Sequence, residues 1–343
     1  MGKALPQRYA QLHDTIRKSR NILIATHERA DGDAMGSLIA LAESIPRMSE
    51  RRIVMLAPKT SVTQYSFLER SEDVLIEAGM IRADGFDCVV LLDCGNVHRT
   101  HLAEKLHFLE EHRPTVALID HHPAETAVGG RTIVDLEMVR TNASSTCELV
   151  YEYLMHNGIP VTPSIANALL TGIITDTGGF QNLGTTLESM EIAGELLKRG
   201  ANLRKIVQGT MRNKSVNVLR LWGRALSRLE YDPKTRIVST ALRTVDFEEC
   251  GVAKDGIEGI ANFLNGLADT DAVLVLREES GGYVKGSYRT KRSDIDVAVL
   301  ARRYGGGGHV KAAGFSVRGT IEQYENGWMV QQSESEEKRV RGA

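Results

Sequence analysis

The sequence predicts an α/β protein, with a doubly wound parallel sheet in an N-terminal domain, a smaller mixed α/β domain towards the C-terminus, and a helical linker between them. Short apolar runs of strand length alternate with helical patterns, which is typical of a parallel sheet covered by helices. The 343 residues also exceed the usual size of one domain. We therefore predict domains over 1–186 and 229–330, a linker over 187–228, and a disordered polar tail over 331–343.

In the N-terminal domain, strands are predicted where short runs rich in Val, Ile and Leu end at polar or turn-forming residues. These runs are 21–26, 52–56, 87–92 and 115–119. Helices are predicted where apolar residues recur three or four positions apart, and Pro114 and Asn157-Gly158 mark two of their ends. The predicted helices are 8–19, 34–44, 64–70, 100–112, 143–157 and 164–174.

The second half of the chain changes character twice. From about residue 187 to 228 the pattern is nearly all helical, with a break at 200–202, and this favours a connection between domains. After Pro233 short strands alternate with helices again, which predicts a second α/β domain. Its strands are predicted over 236–242, 272–278, 283–288 and 313–317, and its helices over 256–267 and 294–303.

The composition argues against several kinds of protein. The net charge of −2 disfavours a general polyanion binder, and 5% aromatic residues disfavour an extended base-stacking surface. The four cysteines show no C-x-x-C spacing, which argues against a zinc ribbon or a thioredoxin-like site. No apolar run approaches the ~20 residues needed to span a bilayer. We expect a reducing, cytoplasmic setting without membrane contact, and both a monomer and a homodimer are compatible with the sequence.

Acidic and histidine residues fall at or just past the ends of four apolar segments. They are His27, Asp31, Asp33, Asp93, Asp120, His121, His122 and Asp176. In an open parallel sheet the carboxyl ends of the strands meet at one edge, where ligands bind. One such residue alone is more simply interpreted as a helix cap or a turn former. The order and spacing of all four clusters together instead predict one shared site.

So many anionic groups need compensation, because like charges in one site repel and raise each other's pKa. Divalent metal is the simplest remedy, and two ions suit this number of ligands. Asp31 and Asp33 are expected to face two neighbouring ions, Asp93 to bridge them, and His121 and Asp176 to complete the ligand set of the second ion. Oxygen and imidazole donors without thiolate favour Mn²⁺ or Mg²⁺ over zinc or iron. Two such ions ~3.5–4 Å apart suit in-line phosphoryl displacement.

A run of four glycines, Gly305 to Gly308, precedes His309 in the C-terminal domain. Taken alone, the run favours a flexible turn. The alternative is a nest of free N–H groups that binds an anion, and basic residues such as Arg289 lie nearby in sequence. The chain has no P-loop motif and no G-x-S-x-G motif, which disfavours nucleotide-triphosphate motors and serine hydrolases.

The order H-x-x-x-D-x-D, D, D-H-H, D resembles the DHH phosphoesterase superfamily. Ser287-Tyr288-Arg289, the Gly-Gly-Gly-Gly-His run and Ala312-Ala313-Gly314 resemble the DHH-associated domain of that superfamily. The pairing is most similar to the NrnA-type oligoribonucleases and pAp phosphatases, which are also similar to RecJ nucleases. The resemblance covers about residues 8–320. One difference is Ala30, which stands where the family often has proline, and no ligand position is lost.

The resemblance implies a role for each motif residue. One manganese ion would be held by His27, Asp31 and Asp93, and a second by Asp33, Asp93, His121 and Asp176. Asp120 would orient the histidines, and His122 would lie near the scissile phosphate and assist the leaving group. The terminal nucleotide or phosphate of the substrate would be held by Arg289, Gly306, Gly307, Gly308 and His309.

The expected function is hydrolysis of very short single-stranded RNA (nanoRNA) to mononucleotides by a two-metal phosphodiesterase, with removal of a phosphate from 3′-phosphoadenosine 5′-phosphate (pAp) as a second activity. Enzyme alternatives are a phosphodiesterase for linear dinucleotides such as pGpG and pApA, a RecJ-like single-strand exonuclease, and an exopolyphosphatase or pyrophosphatase. A nucleotide-binding sensor is the alternative without catalysis. Such sensors usually lack ligand residues, and all six ligand positions are present here.

Overall fold

A computed structural model describes residues 4–46, 48–109, 113–210, 214–253, 257, 259–324, 327–331 and 340–341. The chain divides into two compact units, residues 1–213 and 214–343. The predicted α/β class is confirmed, with a parallel sheet in the first unit and a separate mixed sheet in the second. The tail predicted over 331–343 lies almost entirely outside the described residues.

The first unit contains a five-stranded sheet in the order β2-β1-β3-β4-β7, and all neighbouring strands are parallel. Its strands are β1 (Asn21–Ala25), β2 (Arg52–Leu56), β3 (Cys88–Leu92), β4 (Thr115–Asp120) and β7 (Leu136–Val139), and β5 (Ala127–Val128) and β6 (Arg131–Thr132) form a separate hairpin. Strands β1, β3 and β4 are buried almost throughout, which is why they occur in the sequence as continuous apolar runs. The strand order therefore places the ends of β1, β3 and β4 side by side.

The helices of the first unit are α1 (Ala4–Lys18), α2 (Gly32–Ser44), α3 (Ala103–His107), α4 (Thr146–His156), α5 (Pro163–Asp176), α6 (Leu187–Lys198) and α7 (Leu203–Thr210). The predicted helix over 64–70 is wrong: a 3₁₀ turn covers Val62–Tyr65 instead. The helix predicted over 100–112 is reduced to α3, although residues 110–112 lie outside the described part. Arg70 (φ 63°) and His101 (φ 58°) adopt left-handed conformations, which interrupt a right-handed helix.

Helices α2, α4 and α5 pack closely against one another, because glycine occupies their contact points. A Cβ atom added at Gly36 would lie 2.4 Å from the carbonyl oxygen of Ala168. A Cβ added at Gly172 would lie 2.3 Å from Cys147 Sγ and 2.5 Å from Asp33 Oδ1. Small residues at these positions therefore allow three helices to reach the same edge of the sheet.

The second unit contains a six-stranded sheet in the order β12-β13-β11-β10-β9-β8, in which β9 and β10 are parallel and the other pairs antiparallel. Its strands are β8 (Glu230–Asp232), β9 (Ile237–Leu242), β10 (Ala272–Glu279), β11 (Tyr283–Arg289), β12 (Gly307–His309) and β13 (Ala312–Arg318). A smaller antiparallel sheet is formed by β14 (Thr320–Tyr324), β15 (Gly327–Gln331) and β16 (Val340–Arg341). The helices are α8 (Val216–Ser227), α9 (Thr244–Cys250), α10 (Ile260–Leu264) and α11 (Val297–Arg302).

The helical stretch between residues 187 and 228 is divided between the two units. Helices α6 and α7 lie in the first unit, where both contact α5, and α8 lies in the second unit. Within the described part of the chain, none of these or the other helices combines the length and the apolar composition needed to cross a membrane.

Candidate metal centre and substrate site

Strand ends deliver five of the predicted side chains to the carboxyl edge of the first sheet. His27 follows β1 by two residues, and Asp93 comes directly after β3. Asp120 is the last residue of β4, and His121 and His122 follow it. Because β1, β3 and β4 are neighbours in the sheet, residues that are almost a hundred positions apart in the chain lie at one edge.

Two helices bring the remaining three carboxylates. Helix α2 begins at Gly32, two residues before the predicted start, so that Asp33 lies in its first turn. Asp31 is the N-cap of this helix, and its Oδ1 accepts hydrogen bonds of 3.1 Å from the amides of Asp33 and Ala34. Asp176 is the last residue of α5. The simpler interpretation of Asp31 as a helix cap is therefore also true of this structure.

The structure brings these side chains into three overlapping groups that could hold a metal ion, with the ligand atoms of each group within 4.8 Å of one another. The groups are His27–Asp31–Asp93, Asp33–His121–Asp176 and Asp93–His121–His122. Asp93 connects them, because its Oδ2 lies 3.9 Å from His27 Nε2 and its Oδ1 lies 3.7 Å from His121 Nε2. His122 was not expected among ligands, and its Nδ1 lies 3.3 Å from the same Oδ1.

The imidazole of His121 fits a cation. Its Nδ1 lies 3.3 Å from the carbonyl oxygen of Ala143, which can only accept, so Nδ1 keeps its hydrogen and the neutral ring has its lone pair on Nε2. Nε2 is buried, makes no hydrogen bond to the described residues, and lies 3.1 Å from Asp176 Oδ2 and 3.8 Å from Asp33 Oδ2. A buried polar atom without a partner is costly, and a cation among these carboxylates would satisfy it. Carboxylate and imidazole donors suit Mn²⁺ or Mg²⁺.

The pKa shifts within the cluster also indicate that it needs a cation. Burial, followed by the charge of Asp176, raises the pKa of Asp33 to about 7. Burial and the charge of Asp33 raise the pKa of Asp93 well above its usual range. Burial lowers the pKa of His121, but contact with Asp176 and the charge of Asp33 outweigh it and raise this pKa to about 9. Without a cation the cluster therefore retains protons, which a divalent ion would replace.

Asp120 holds one of the two histidines. It is fully buried, and its Oδ1 accepts a 2.8 Å hydrogen bond from the amide of His122 and lies 3.0 Å from His122 Nδ1. Its Oδ2 accepts a 2.7 Å bond from the amide of Gly95. The hydrogen bond to Asp120 is the main cause of the raised pKa of His122. His121 Nδ1 instead faces the carbonyl oxygen of Ala143. Asp120 was expected to orient both histidines, and in the structure it contacts His122.

The start of α4 contributes contacts that the sequence analysis did not single out. The amides of Thr146 and Cys147 donate to Oδ2 and Oδ1 of Asp33, at 2.6 and 2.9 Å. The Thr146 hydroxyl donates to Asp93 Oδ1 at 3.1 Å. A signal was present in the run Ser144-Ser145-Thr146, which the pattern identified as a helix start and nothing more.

Basic residues lie next to His27 and Glu28 after the end of β1, and no sequence pattern predicted them. Arg99 Nη2 lies 3.0 Å from His27 Nδ1. Glu28 Oε2 accepts a 2.9 Å hydrogen bond from Lys59 Nζ and lies 3.0 Å from His101 Nε2, and these contacts lower the pKa of Glu28 to about 2. Because these residues come from separate loops, no local sequence pattern connects them.

In the second unit, strand register aligns the two predicted substrate-binding side chains. Arg289 on β11 pairs with Ala312 on β13, and Ala312 pairs with His309 on β12. Directly paired residues point to the same face of a sheet, so Arg289 and His309 lie on one face, ~10 Å apart across the small Ala312. Arg289 Nε also donates to Asn262 Oδ1 at 3.1 Å.

The glycine run is not a flexible turn, because Gly307–His309 forms β12. The amide of Gly306 donates to the carbonyl of Ala301 at 3.0 Å, so this N–H is not available to an anion. A Cβ atom at Gly308 would lie 2.6 Å from the carbonyl oxygen of Ala312. Glycine at this position therefore allows the backbones of β12 and β13 to approach each other.

Residues 21–173 match the model of the DHH family, N-terminal domain, and residues 237–326 match the DHHA1 domain. The chain is 28% identical over 300 residues to the bifunctional oligoribonuclease and PAP phosphatase NrnA of Thermus thermophilus, covering 87% of this chain and 84% of that protein. The protein of the same name from Bacillus subtilis is 26% identical over 315 residues, covering 90% and 92%. A crystal structure of an exopolyphosphatase-related protein from Bacteroides fragilis has the same fold, with a TM-score of 0.79, 23% identity and 90% coverage of both chains.

Proposed function

Because the chain belongs to the DHH family of metal-dependent phosphoesterases, we propose that it hydrolyses short oligoribonucleotides to mononucleotides and removes a phosphate from pAp. The observation that carries this proposal is the buried His121 Nε2, which lies within 3.8 Å of the carboxylates of Asp33, Asp93 and Asp176. The names of the relatives from Thermus thermophilus and Bacillus subtilis support the substrate class. The four free, buried cysteines are in line with the cytoplasmic setting that we also propose.

We assign two divalent cations, Mn²⁺ or Mg²⁺, to the cluster. The first would be held by His27, Asp31 and Asp93, and the second by Asp33, Asp93, His121 and Asp176. The groups His27–Asp31–Asp93 and Asp33–His121–Asp176 support this division. When bound, such a pair polarises the scissile phosphate and activates the attacking water.

His122 is the group that we assign to the leaving oxygen. Its side chain is 36% exposed, whereas that of His121 is 13% exposed, so His122 can reach a substrate. Asp120 holds its Nδ1, which turns Nε2 away from that carboxylate, and the raised pKa of His122 suits a proton donor near neutral pH. Asp120 would thus orient the ring and His122 would transfer the proton.

We assign substrate binding to residues 229–330, catalysis to residues 1–186, and a linking role to residues 187–228. Arg289 and His309 would hold the terminal phosphate or nucleotide, and Gly306 to Gly308 would let the substrate approach the backbone. The guanidinium is well suited to bidentate contact with phosphate. A chain with a net charge of −2 is compatible with short substrates, since few phosphates need to be contacted.

The test is a substrate panel with Mn²⁺, read by product mass. Purified protein is given labelled di- to pentanucleotides and pAp, and mononucleotides and AMP are expected. Asp93→Ala should abolish turnover, whereas Asp84→Ala, a change in an exposed turn that precedes β3, should not. If wild type turned over none of these substrates and Asp93→Ala were indistinguishable from it, the proposal would be refuted.

The same panel separates the other activities. A RecJ-like exonuclease would degrade 24-mers at least as fast as 3-mers, whereas the proposed enzyme prefers the 3-mers. Linear dinucleotides, polyphosphate and pyrophosphate are included for comparison. Binding of a nucleotide without hydrolysis across several metals would instead identify a sensor.

A further inference from the structure

We infer that Thr146 is a positioning residue of the metal centre, which fixes Asp33 through its amide and Asp93 through its hydroxyl. Thr146 is fully buried at the first position of α4 and is not one of the six proposed ligands. The inference rests on the proposed function, because it concerns the cations that Asp33 and Asp93 would share.

The amides of the first turn of α4 determine the orientation of Asp33. Each oxygen of this buried carboxylate accepts one amide hydrogen, from Thr146 at 2.6 Å and from Cys147 at 2.9 Å. Amides in the first turn of a helix have no partner within the helix, and the helix dipole favours an anion there. Asp33 is thus held by two backbone groups, and its remaining lone pairs face His121, with Oδ2 3.8 Å from Nε2.

The hydroxyl of Thr146 determines the orientation of Asp93. It donates at 3.1 Å to Oδ1, the oxygen that lies 3.7 Å from His121 Nε2. The other oxygen, Oδ2, lies 3.9 Å from His27 Nε2. The backbone of Asp93 has a φ of 52°. This angle is unfavourable for residues other than glycine, so the surrounding structure has to hold it. The hydroxyl thereby keeps one oxygen of Asp93 near His121 and the other near His27, as a carboxylate shared by two cations would require.

The residues on either side of Thr146 are held by a network that does not involve the metal groups. Glu148 Oε2 accepts hydrogen bonds from the amide and the hydroxyl of Ser144, at 3.0 and 2.7 Å, and the Glu148 carboxylate pairs with Arg140. The Ser145 hydroxyl accepts from the amide of Glu148 at 3.2 Å. The start of α4 is therefore held by contacts that do not depend on a cation, which is the property that a supporting residue needs.

The simpler interpretation is that Thr146 begins a helix and satisfies its own hydroxyl. Substitutions can separate the two interpretations, because the amide contacts to Asp33 belong to the backbone and survive them. Thr146→Ser keeps the hydroxyl, Thr146→Ala removes it, and Thr146→Val removes it at nearly constant volume. Losing a group that orients a metal ligand typically weakens metal affinity ~10–100-fold.

The experiment measures Mn²⁺ binding by isothermal titration calorimetry without substrate. Wild type and Thr146→Ser should bind two ions with similar affinities, and Thr146→Ala and Thr146→Val should bind one of them ~10–100-fold more weakly. Thr171→Val is the matched control, since Thr171 is also fully buried in the first unit but donates its hydroxyl to its own helix, at 2.7 Å to Asn167. It should bind both ions as wild type does.

The outcomes distinguish this inference from the proposed function. If wild type binds two ions and both Thr146→Ala and Thr146→Val bind them equally tightly, the inference is overturned and the proposed function stands. An equal weakening in Thr171→Val also overturns it, because the effect is then one of general packing. If wild type binds no Mn²⁺, the proposed function fails and the inference with it. Thermal melting identifies a misfolded Thr146→Val, in which case the Ser and Ala variants, which differ by the hydroxyl alone, decide.

Discussion

Binding of Mn²⁺ to the metal-free protein should release protons, because the cluster at the sheet edge retains protons that a cation displaces. The pKa of Asp33 is raised to about 7, mainly by burial, and the pKa of His121 is raised to about 9 by its carboxylate neighbours in spite of burial. Both shifts favour the protonated forms in the metal-free state. A ligand atom must lose its proton to bind a metal, so raising the pH should strengthen binding.

The magnitude follows from these two values. At pH 7 a group with a pKa of about 7 is half protonated and one with a pKa of about 9 almost fully, so binding should release about 1.5 protons from Asp33 and His121. Near pH 9 the release from the same groups should fall to about 0.5. Integrated between pH 6 and 7, the linkage strengthens Mn²⁺ binding about 50-fold. Asp93, whose pKa is also raised, adds to the release.

The assay is isothermal titration calorimetry at one pH in buffers of different ionisation enthalpy, since the slope of the observed enthalpy against the buffer enthalpy counts the protons released. Asp93→Asn should lose both the tight binding and the release, and Asp84→Asn, on an exposed turn, should retain both. The same enthalpy in every buffer at pH 7, or an affinity that does not change between about pH 6 and 8, would refute the reasoning.

Three further predictions concern stability. Because the pKa values of Asp33 and His121 are raised in the metal-free fold, both groups stabilise that fold at a pH below their pKa values in the unfolded chain. This contribution is lost as the pH rises through about 7 for Asp33 and then about 9 for His121. The melting temperature without metal should therefore fall between about pH 5 and 9, and a melting temperature that rises would contradict this. Gly172→Ala should lower the free energy of unfolding in urea by ~1–3 kcal/mol and weaken Mn²⁺ binding, because the new Cβ would lie 2.3 Å from the buried Cys147 Sγ. Gly194→Ala is the control and should not destabilise the protein, because the space around Gly194 is open. Glu148→Ala should cost ~3 kcal/mol in the same assay, because it removes a buried carboxylate that pairs with the partly exposed Arg140 and accepts from Ser144. A cost near zero would show that the network is dispensable.

Much of the first unit could be predicted because its central strands are buried on both faces. Strands β1, β3 and β4 are continuous apolar runs, and such runs identify a strand without knowledge of its neighbours. Strand β7 was not predicted, since its sequence Leu-Glu-Met-Val is short and mixed and it lies at the sheet edge. The predicted helix over 64–70 does not form: a 3₁₀ turn covers Val62–Tyr65, and Arg70, at the end of the predicted range, is left-handed.

What the sequence alone determined is the kind of chemistry: the order of carboxylates and imidazoles after apolar segments indicated a metal centre, since residue type and spacing are local information. The tertiary structure decided which of these atoms meet. Asp33 and Thr146 are 113 residues apart in the chain, and the close packing of α2, α4 and α5 brings the Thr146 amide to the Asp33 carboxylate. Likewise, strand register across β11, β13 and β12 aligns Arg289 with His309. Contacts of this kind depend on the packing of distant segments, and no pattern within either segment specifies them.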